Sequence, residues 1–322
     1  MLRRGFLRFG LSFGCLLLLC GTQVVAQDYP NKTIRIVAAH PPGGGADIFV
    51  RYFAEKLQPM AGQPVIVENK PGADGAIGNG TVIHAKPDGY TILINLSNAV
   101  IGNTFFMKDA DYDPLKALAP IALLGKNGLI LITGPKTGVT NFQEALKLAK
   151  SKSTKFGVTS AGTRTAMELL KLEAGLDFLH VNYRGAADAL SAVASGEVDF
   201  AFSDPVSALG QVNQGRVIPL AVSTSERSSV FPNLPTLAQE GVTGYDFDTF
   251  WGAWAPAGTP DDIITKLEGW LLAIARTDAT KDNLRKFGME AATGDHKALA
   301  EEMAHNIATW ELAVRKAGIE KQ

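Results

Sequence analysis

Pro41-Pro42-Gly43-Gly44-Gly45-Ala46-Asp47 follows an apolar run, 34–39, that reads as a buried strand, and it opens a helical pattern over 48–57. A second turn of the same kind, Ser160-Ala161-Gly162-Thr163-Arg164-Thr165, stands between an apolar run at 156–159 and a helical pattern at 166–174. Such a turn leaves the first N–H groups of its helix unbonded and aims the positive end of the helix dipole at one point, which is an anion site. Glycine favours this use because no Cβ shields the N–H groups. Two such turns on facing lobes would grip one small anionic ligand.

Outward from these turns, β-branched apolar runs alternate with helical patterns, which predicts an α/β fold with mainly parallel sheets. Strands are expected at 34–39, 65–68, 91–95, 129–133, 156–159, 179–183, 198–202 and 218–223. Near 122–128 and again near 223–227 the pattern loosens into polar or glycine-bearing connectors, expected as hinge strands. The aromatic-rich stretch 247–255 reads as extended, and Pro256-Ala257-Gly258-Thr259-Pro260 breaks it before a helix over 261–276, with Thr259 as the expected N-cap. A last helix near 297–316 carries Leu299, Met303, Ile307, Trp310 and Val314 at spacings of three and four, a packing stripe rather than a cofactor box. The expected division is a leader at 1–26, a first lobe at 27–125, a second lobe at 126–222, and a return to the first lobe over 223–322.

Arg3, Arg4 and Arg8 precede an apolar stretch from Phe9 to Leu19, and Val24-Val25-Ala26 offers a small-residue cleavage site, so the first residues read as an export signal to the periplasm. Arg3-Arg4-Gly5-Phe6-Leu7-Arg8 fits a twin-arginine pattern, with Sec export as the alternative. Both cysteines, Cys15 and Cys20, fall in this leader. Their loss on cleavage excludes disulfides, thiol catalysis and cysteine metal sites from the remaining chain. No later apolar run approaches the roughly 20 uncharged residues needed to cross a bilayer.

Lys and Arg number 31 against 32 Asp and Glu, and the leader removes three of the arginines. What remains is acidic with its basic residues scattered, which argues against nucleic acid as a partner. His40, His84, His180, His296 and His305 have no metal-ligand spacing, and no cofactor motif is present. The chain has no G-x-S-x-G nucleophile elbow, so a binding role is expected rather than an enzyme. A monomer is expected.

In a parallel α/β sheet, ligands sit beyond the carboxyl ends of the strands. The candidate ligand contacts are therefore Pro42, Gly43, Gly44, Gly45 and Asp47 in the first turn, Asn98 after the third strand, and Ser160, Ala161, Gly162, Thr163, Arg164 and Thr165 in the second. Tyr183, Arg184 and Gly185 follow the next strand, and Ser203 and Asp204 the one after. Each has a plainer reading. Asp47 suits a helix N-cap, because a carboxylate facing a bound anion repels it. Ser160, Thr163 and Thr165 suit simple capping. Arg164 offers a bidentate carboxylate partner or pairs with Glu168 four residues on. Arg184 offers a ligand contact or a surface salt bridge, and Asp204 before Pro205 offers an N-cap or an acceptor for an amine or hydroxyl. Trp251 reads as core or cleft wall.

Several stretches in order carry a resemblance: Tyr29-Pro30-Asn31-Lys32, the P-x-G-G-x-x-D turn at Pro41 to Asp47, Glu68-Asn69-Lys70-Pro71-Gly72-Ala73, Pro87-Asp88-Gly89-Tyr90-Thr91, Ser160-Ala161-Gly162, Val181-Asn182-Tyr183-Arg184-Gly185 and Ala255-Pro256-Ala257-Gly258-Thr259-Pro260. Together they resemble the solute-binding proteins of tripartite tricarboxylate transporters, the Bug or TctC-like family, over essentially the whole chain after the leader. The resemblance implies a two-lobed, Venus-flytrap periplasmic binding protein of type II-like lobe order, which delivers a small carboxylate to inner-membrane permease subunits. It implies that both glycine turns hold a ligand carboxylate. A co-sensor presenting its ligand to a sensor kinase is the alternative role. Arg164 stands where relatives have Gly, Glu168 where they have His, and Phe202-Ser203-Asp204 where they commonly read F-D-N.

Overall fold

The computed structural model describes residues 29–318 and 321, apart from 109, 287 and 292, so the expected leader and its cysteines lie outside the described residues. In chain order the strands are β1 (Ile34–Ala38), β2 (Val65–Asn69), β3 (Thr91–Leu96), β4 (Leu118–Gly128), β5 (Ile130–Thr133), β6 (Thr154–Val158), β7 (Phe178–Asn182), β8 (Phe200–Ser203), β9 (Ile218–Val222) and β10 (Asp248–Pro256). They form two five-stranded sheets, ordered β2-β1-β3-β10-β4 and β7-β6-β8-β5-β9.

The physical reason for two lobes lies in burial. Ile34, Ile36, Val37 and Ala38 of β1 are all buried, as expected for a parallel strand covered on both faces by helices. The expected two-lobed α/β architecture is the one adopted, with one refinement: both sheets are mixed. β1, β2 and β3 are mutually parallel, but β10 runs antiparallel between β3 and β4. β6, β7 and β8 are parallel, while β5 pairs antiparallel with β8 and β9.

Residues 122–128, expected as a hinge strand, form the second half of β4. Polar and glycine residues are held in strand geometry here because β10 pairs along one edge and bridges to Glu290 and Gly294 form along the other. The helix expected from Ile48 begins earlier, at Gly45, and runs Gly45–Ala61. Thr259 is not the cap of helix Asp261–Ala275, since its hydroxyl donates to the Pro256 carbonyl and Pro260 occupies the cap position.

The chain crosses between sheets at Leu129 and again on the return to β10. Segment 223–247 packs on the second sheet: Thr236 bridges Val222, and Leu237, Val242, Tyr245 and Phe247 join that lobe's core. Ser223 ties the crossings together. Its N–H donates to the Leu129 carbonyl (2.8 Å), its Oγ accepts from the Leu129 N–H (2.8 Å) and donates to the Phe247 carbonyl (2.6 Å), and its own carbonyl accepts from the Phe247 N–H (2.8 Å).

The last helix, His296–Ala317, belongs to both lobes. Leu299 and Met303 pack with Leu123, Phe250 and Trp254 of the first sheet, whereas Trp310 packs in the core of the second. Trp310 can lie there because Gly102 offers no side chain, and a Cβ at that position would come within 2.4 Å of the indole. Among the described residues no helix is long and apolar enough to cross a membrane.

Ser223→Ala should lower the free energy of unfolding by about 2–4 kcal/mol, because a Leu129 donor and a Phe247 acceptor both lose their buried partner. Urea unfolding monitored by tryptophan fluorescence tests this, and an unchanged midpoint would show that the hydroxyl is not needed at the crossing.

Candidate functional site

Gly43 takes a left-handed φ of 84°, which a residue with a side chain adopts only under strain, and so lets the chain turn from β1 into helix Gly45–Ala61. Gly44 is the cap residue and supplies no side-chain acceptor, so the N–H groups of Gly45 and Ala46 have no acceptor among the described residues. Asp47 stands inside the first turn rather than at the cap and turns away from the opening. One carboxylate oxygen accepts from the Gly43 N–H (2.9 Å) and Arg51 Nε (2.8 Å), and the other from Asn69 Nδ2 (2.8 Å). The Arg51 hydrogen bond, assisted by those of Asn69 and Gly43, outweighs burial and holds this carboxyl down at about 2.

Behind the turn a polar chain connects His40 to the segment after β3. His40 Nε2 meets Asn95 Oδ1 (2.8 Å), Asn95 Nδ2 donates to Asn79 Oδ1 (2.9 Å), and Asn79 Nδ2 donates to the Ala99 carbonyl (2.8 Å). A carbonyl can only accept, which fixes both amide orientations and puts the proton of His40 on Nε2. Burial lowers the His40 pKa, keeping the ring neutral beside Trp251.

In the second turn Ser160 caps helix Ala161–Ala174. Its Oγ accepts from the Thr163 N–H (3.3 Å), and Thr163 Oγ1 accepts in return from the Ser160 N–H (3.0 Å). The N–H groups of Ala161 and Gly162 have no acceptor among the described residues. Two further helices, Ala186–Ser195 and Pro205–Asn213, begin at the ends of β7 and β8. The second of these is capped by Asp204, whose Oδ1 accepts from the Ser207 N–H (2.8 Å).

All four helix starts open on one cavity of about 400 Å³ between the sheets. Gly45 and Ala46 line it from the first lobe, and Ser160, Gly162, Thr163, Ala186, Ser203, Asp204 and Ser207 from the second. Phe49, Leu96, Leu129, Trp251 and Met289 form its apolar walls, and Asn98, Asn127, Thr159 and Thr249 add polar groups. Among the described residues the lining contains one carboxylate, Asp204, and no cationic side chain.

Of the sequence candidates, Gly45, Asn98, Ser160, Gly162, Thr163, Ser203 and Asp204 are brought together on this cavity. Pro42, Gly43 and Gly44 form the exposed rim of the first turn, and Asp47 is its internal brace. Ala161 sits at the helix start beside them, and Thr165 is buried with its hydroxyl donating to the Ala161 carbonyl. Arg164 is not among the residues lining the cavity, and its buried Nε has no hydrogen-bond partner among the described residues. Its guanidinium lies 6.0 Å from the Phe106 ring, while Glu168 pairs with Lys171. Tyr183 donates to Glu197, and burial, with that carboxylate, pushes its pKa up to about 12. Arg184 is exposed and pairs with Asp188, and Gly185 precedes the third helix start.

Asn127 and Thr249 add to the expected wall, because the sequence reads β4 near 122–128 as a polar hinge strand and 247–255 only as extended, and assigns neither a face on the cavity. A period of two was available: Thr249 and Trp251 share a face of β10, and both line the cavity. No group of three metal-ligating side chains occurs among the described residues.

Residues 49–319 match the family described as the tripartite tricarboxylate transporter family receptor, TctC. The chain is similar to protein BugT of Bordetella pertussis, 28% identical over 300 residues covering 92% of each. A TctC solute-binding protein from Polaromonas, solved with no ligand, superposes with a TM-score of 0.80 at 26% identity, covering 89% of this chain and 99% of the other. R. palustris Rpa4515, solved with adipate, superposes with a TM-score of 0.78 at 28% identity, covering 92% and 100%.

Asp47→Asn should destabilise the protein by about 1–2 kcal/mol at pH 7, the carboxylate's low pKa being discounted for the half-exposed Arg51. A carboxyl whose pKa is depressed on folding contributes stability above its unfolded pKa and loses it as pH falls toward 2. The difference between variant and wild type should therefore shrink between about pH 4 and pH 2. Urea midpoints across that range test it, and a pH-independent difference would remove the charge from the explanation.

Proposed function

Since the chain belongs to the tripartite tricarboxylate transporter receptor family, we propose that it is a periplasmic solute-binding receptor, one that captures a small carboxylate between its lobes and delivers it to an inner-membrane permease. The observation that carries this reading is the convergence of four helix starts on one cavity walled by both lobes. Free N–H groups at Gly45, Ala46, Ala161 and Gly162 suit a carboxylate, and each helix end contributes about half a positive charge. The adipate in Rpa4515 supports the ligand class.

Delivery requires that loaded and empty receptors differ. Gly45 and Ala46 contact the ligand from one side and Ser160 and Gly162 from the other, so both sets act together only when the lobes are close. Ligand therefore shifts the population toward the closed form, with rotation at the Ser223 crossing. The leader at 1–26 supplies export, and the reading assigns no chemistry to the cleft.

Gly45→Asp separates binding from folding. A Cβ at Gly45 meets nothing within 4 Å, and an aspartate in the first turn of a helix favours the helix dipole. The variant should keep or raise the melting temperature of the unliganded protein while weakening binding of small carboxylates at least tenfold in calorimetric titrations. Undiminished binding would move the anion site elsewhere. Co-purification of the loaded chain with a permease from membrane extracts supports delivery, whereas capture of a sensor kinase assigns the same cleft to signalling.

A further inference from the structure

We propose that Asp248 and Glu302, which share the one ammonium of Lys126 beside the crossing between the lobes, take up a proton as the surroundings acidify, so that this cluster steadies the joint in mild acid and weakens it at neutrality. The inference is independent of what the cleft binds. Lys126 lies near the end of β4, shortly before Leu129, and Asp248 opens β10 directly after Phe247. Glu302 comes from helix His296–Ala317, which packs into both lobes. A charge held here therefore acts where both crossings and the shared helix meet.

The geometry leaves one negative charge uncompensated. Lys126 Nζ lies 3.1 Å from Asp248 Oδ2 and 2.5 Å from Glu302 Oε2, and the two carboxylate side chains are only 13% and 14% exposed. The other Asp248 oxygen accepts from a neutral donor, Asn306 Nδ2, at 3.3 Å. The other Glu302 oxygen, Oε1, is buried with no hydrogen-bond partner among the described residues. Burial works against the ammonium, but Asp248 and Glu302 outweigh it and raise the Lys126 pKa. Lys126 thus remains charged and neutralises only one of the two acids.

No second cation pairs with them among the described residues. Beside Lys126 and Asp248 a cavity of about 360 Å³ is lined further by Glu226, Arg227, Asp246 and Glu290. Arg227 Nε donates to Gln239 (3.0 Å), Asp246 accepts from the Ser225 N–H (2.8 Å), and Glu290 accepts from the Ser229 N–H. A proton is the compensation that remains, and the cavity gives it a route. Burial first, and then the Glu302 charge, raises the Asp248 pKa to about 6 against the pull of Lys126. Two carboxylates on one ammonium titrate together, so the proton belongs to the pair. A carboxyl whose pKa is raised on folding stabilises the fold below its unfolded pKa of about 4, and that contribution is lost as pH rises through about 6.

Melting temperatures of wild type and Asp248→Asn at pH 7.5 and pH 5 test the proposal. Asparagine does not titrate, whereas Asp47 and His40 respond to pH equally in both proteins. The wild type should gain about 2–5 °C on the variant between pH 7.5 and pH 5. A difference that stays constant with pH overturns the proposal. Carbon-13 NMR of the protein labelled at its aspartate carboxyls should show a resonance titrating near pH 6 that is absent from Asp248→Asn. Its midpoint should fall in Glu302→Gln, where Lys126 serves Asp248 alone. A wild-type protein with no aspartate titrating above pH 5 overturns the proposal even if both variants fail to fold, and so does a midpoint that Glu302→Gln leaves in place.

Discussion

The arrangement depends on where the two sheets are joined. Leu129, Ser223 and Phe247 lie on the segments that pass between the lobes, and a single buried serine bonds to both of the others through backbone and hydroxyl alike. The crossing fixes which strand ends face each other. Because β1 and β3 of one sheet and β6, β7 and β8 of the other all point their carboxyl ends at the same gap, the helices that follow them must begin there. Cleft and charge thus follow from strand direction, a general property of parallel α/β units.

Each lobe also stabilises its own turn without spending the groups that face the gap. In the first lobe Asp47 binds the Gly43 amide and leaves Gly45 and Ala46 free. In the second, Ser160 and Thr163 satisfy each other and leave Ala161 and Gly162 free. Polar side chains therefore shape the anion site chiefly by holding backbone in place. That division of labour explains why so few charged residues among those described line a cavity suited to a charged guest.

Much of this is legible in the sequence itself. The glycine turns, the run of parallel strands and the packing stripe of the last helix follow from local pattern, and the turns do face a common cavity. What escaped was non-local. The hinge strand at 122–128 is visible as a loosened polar pattern, but its pairing with β10 and its bridges to Glu290 and Gly294 are not. Spacing offers Glu168 as a partner for Arg164, yet Glu168 pairs with Lys171, and the Arg164 guanidinium lies 6.0 Å from the ring of Phe106, almost sixty residues earlier in the chain. Neither partner can be inferred from spacing, because both depend on how distant segments come to lie together.

Helix His296–Ala317 contributes Leu299 and Met303 to one hydrophobic core and Trp310 to the other. A rod shared in this way makes the two lobes thermodynamic dependants of each other: melting either one strips apolar cover from the other, so partial unfolding is penalised and loss of structure becomes a concerted event.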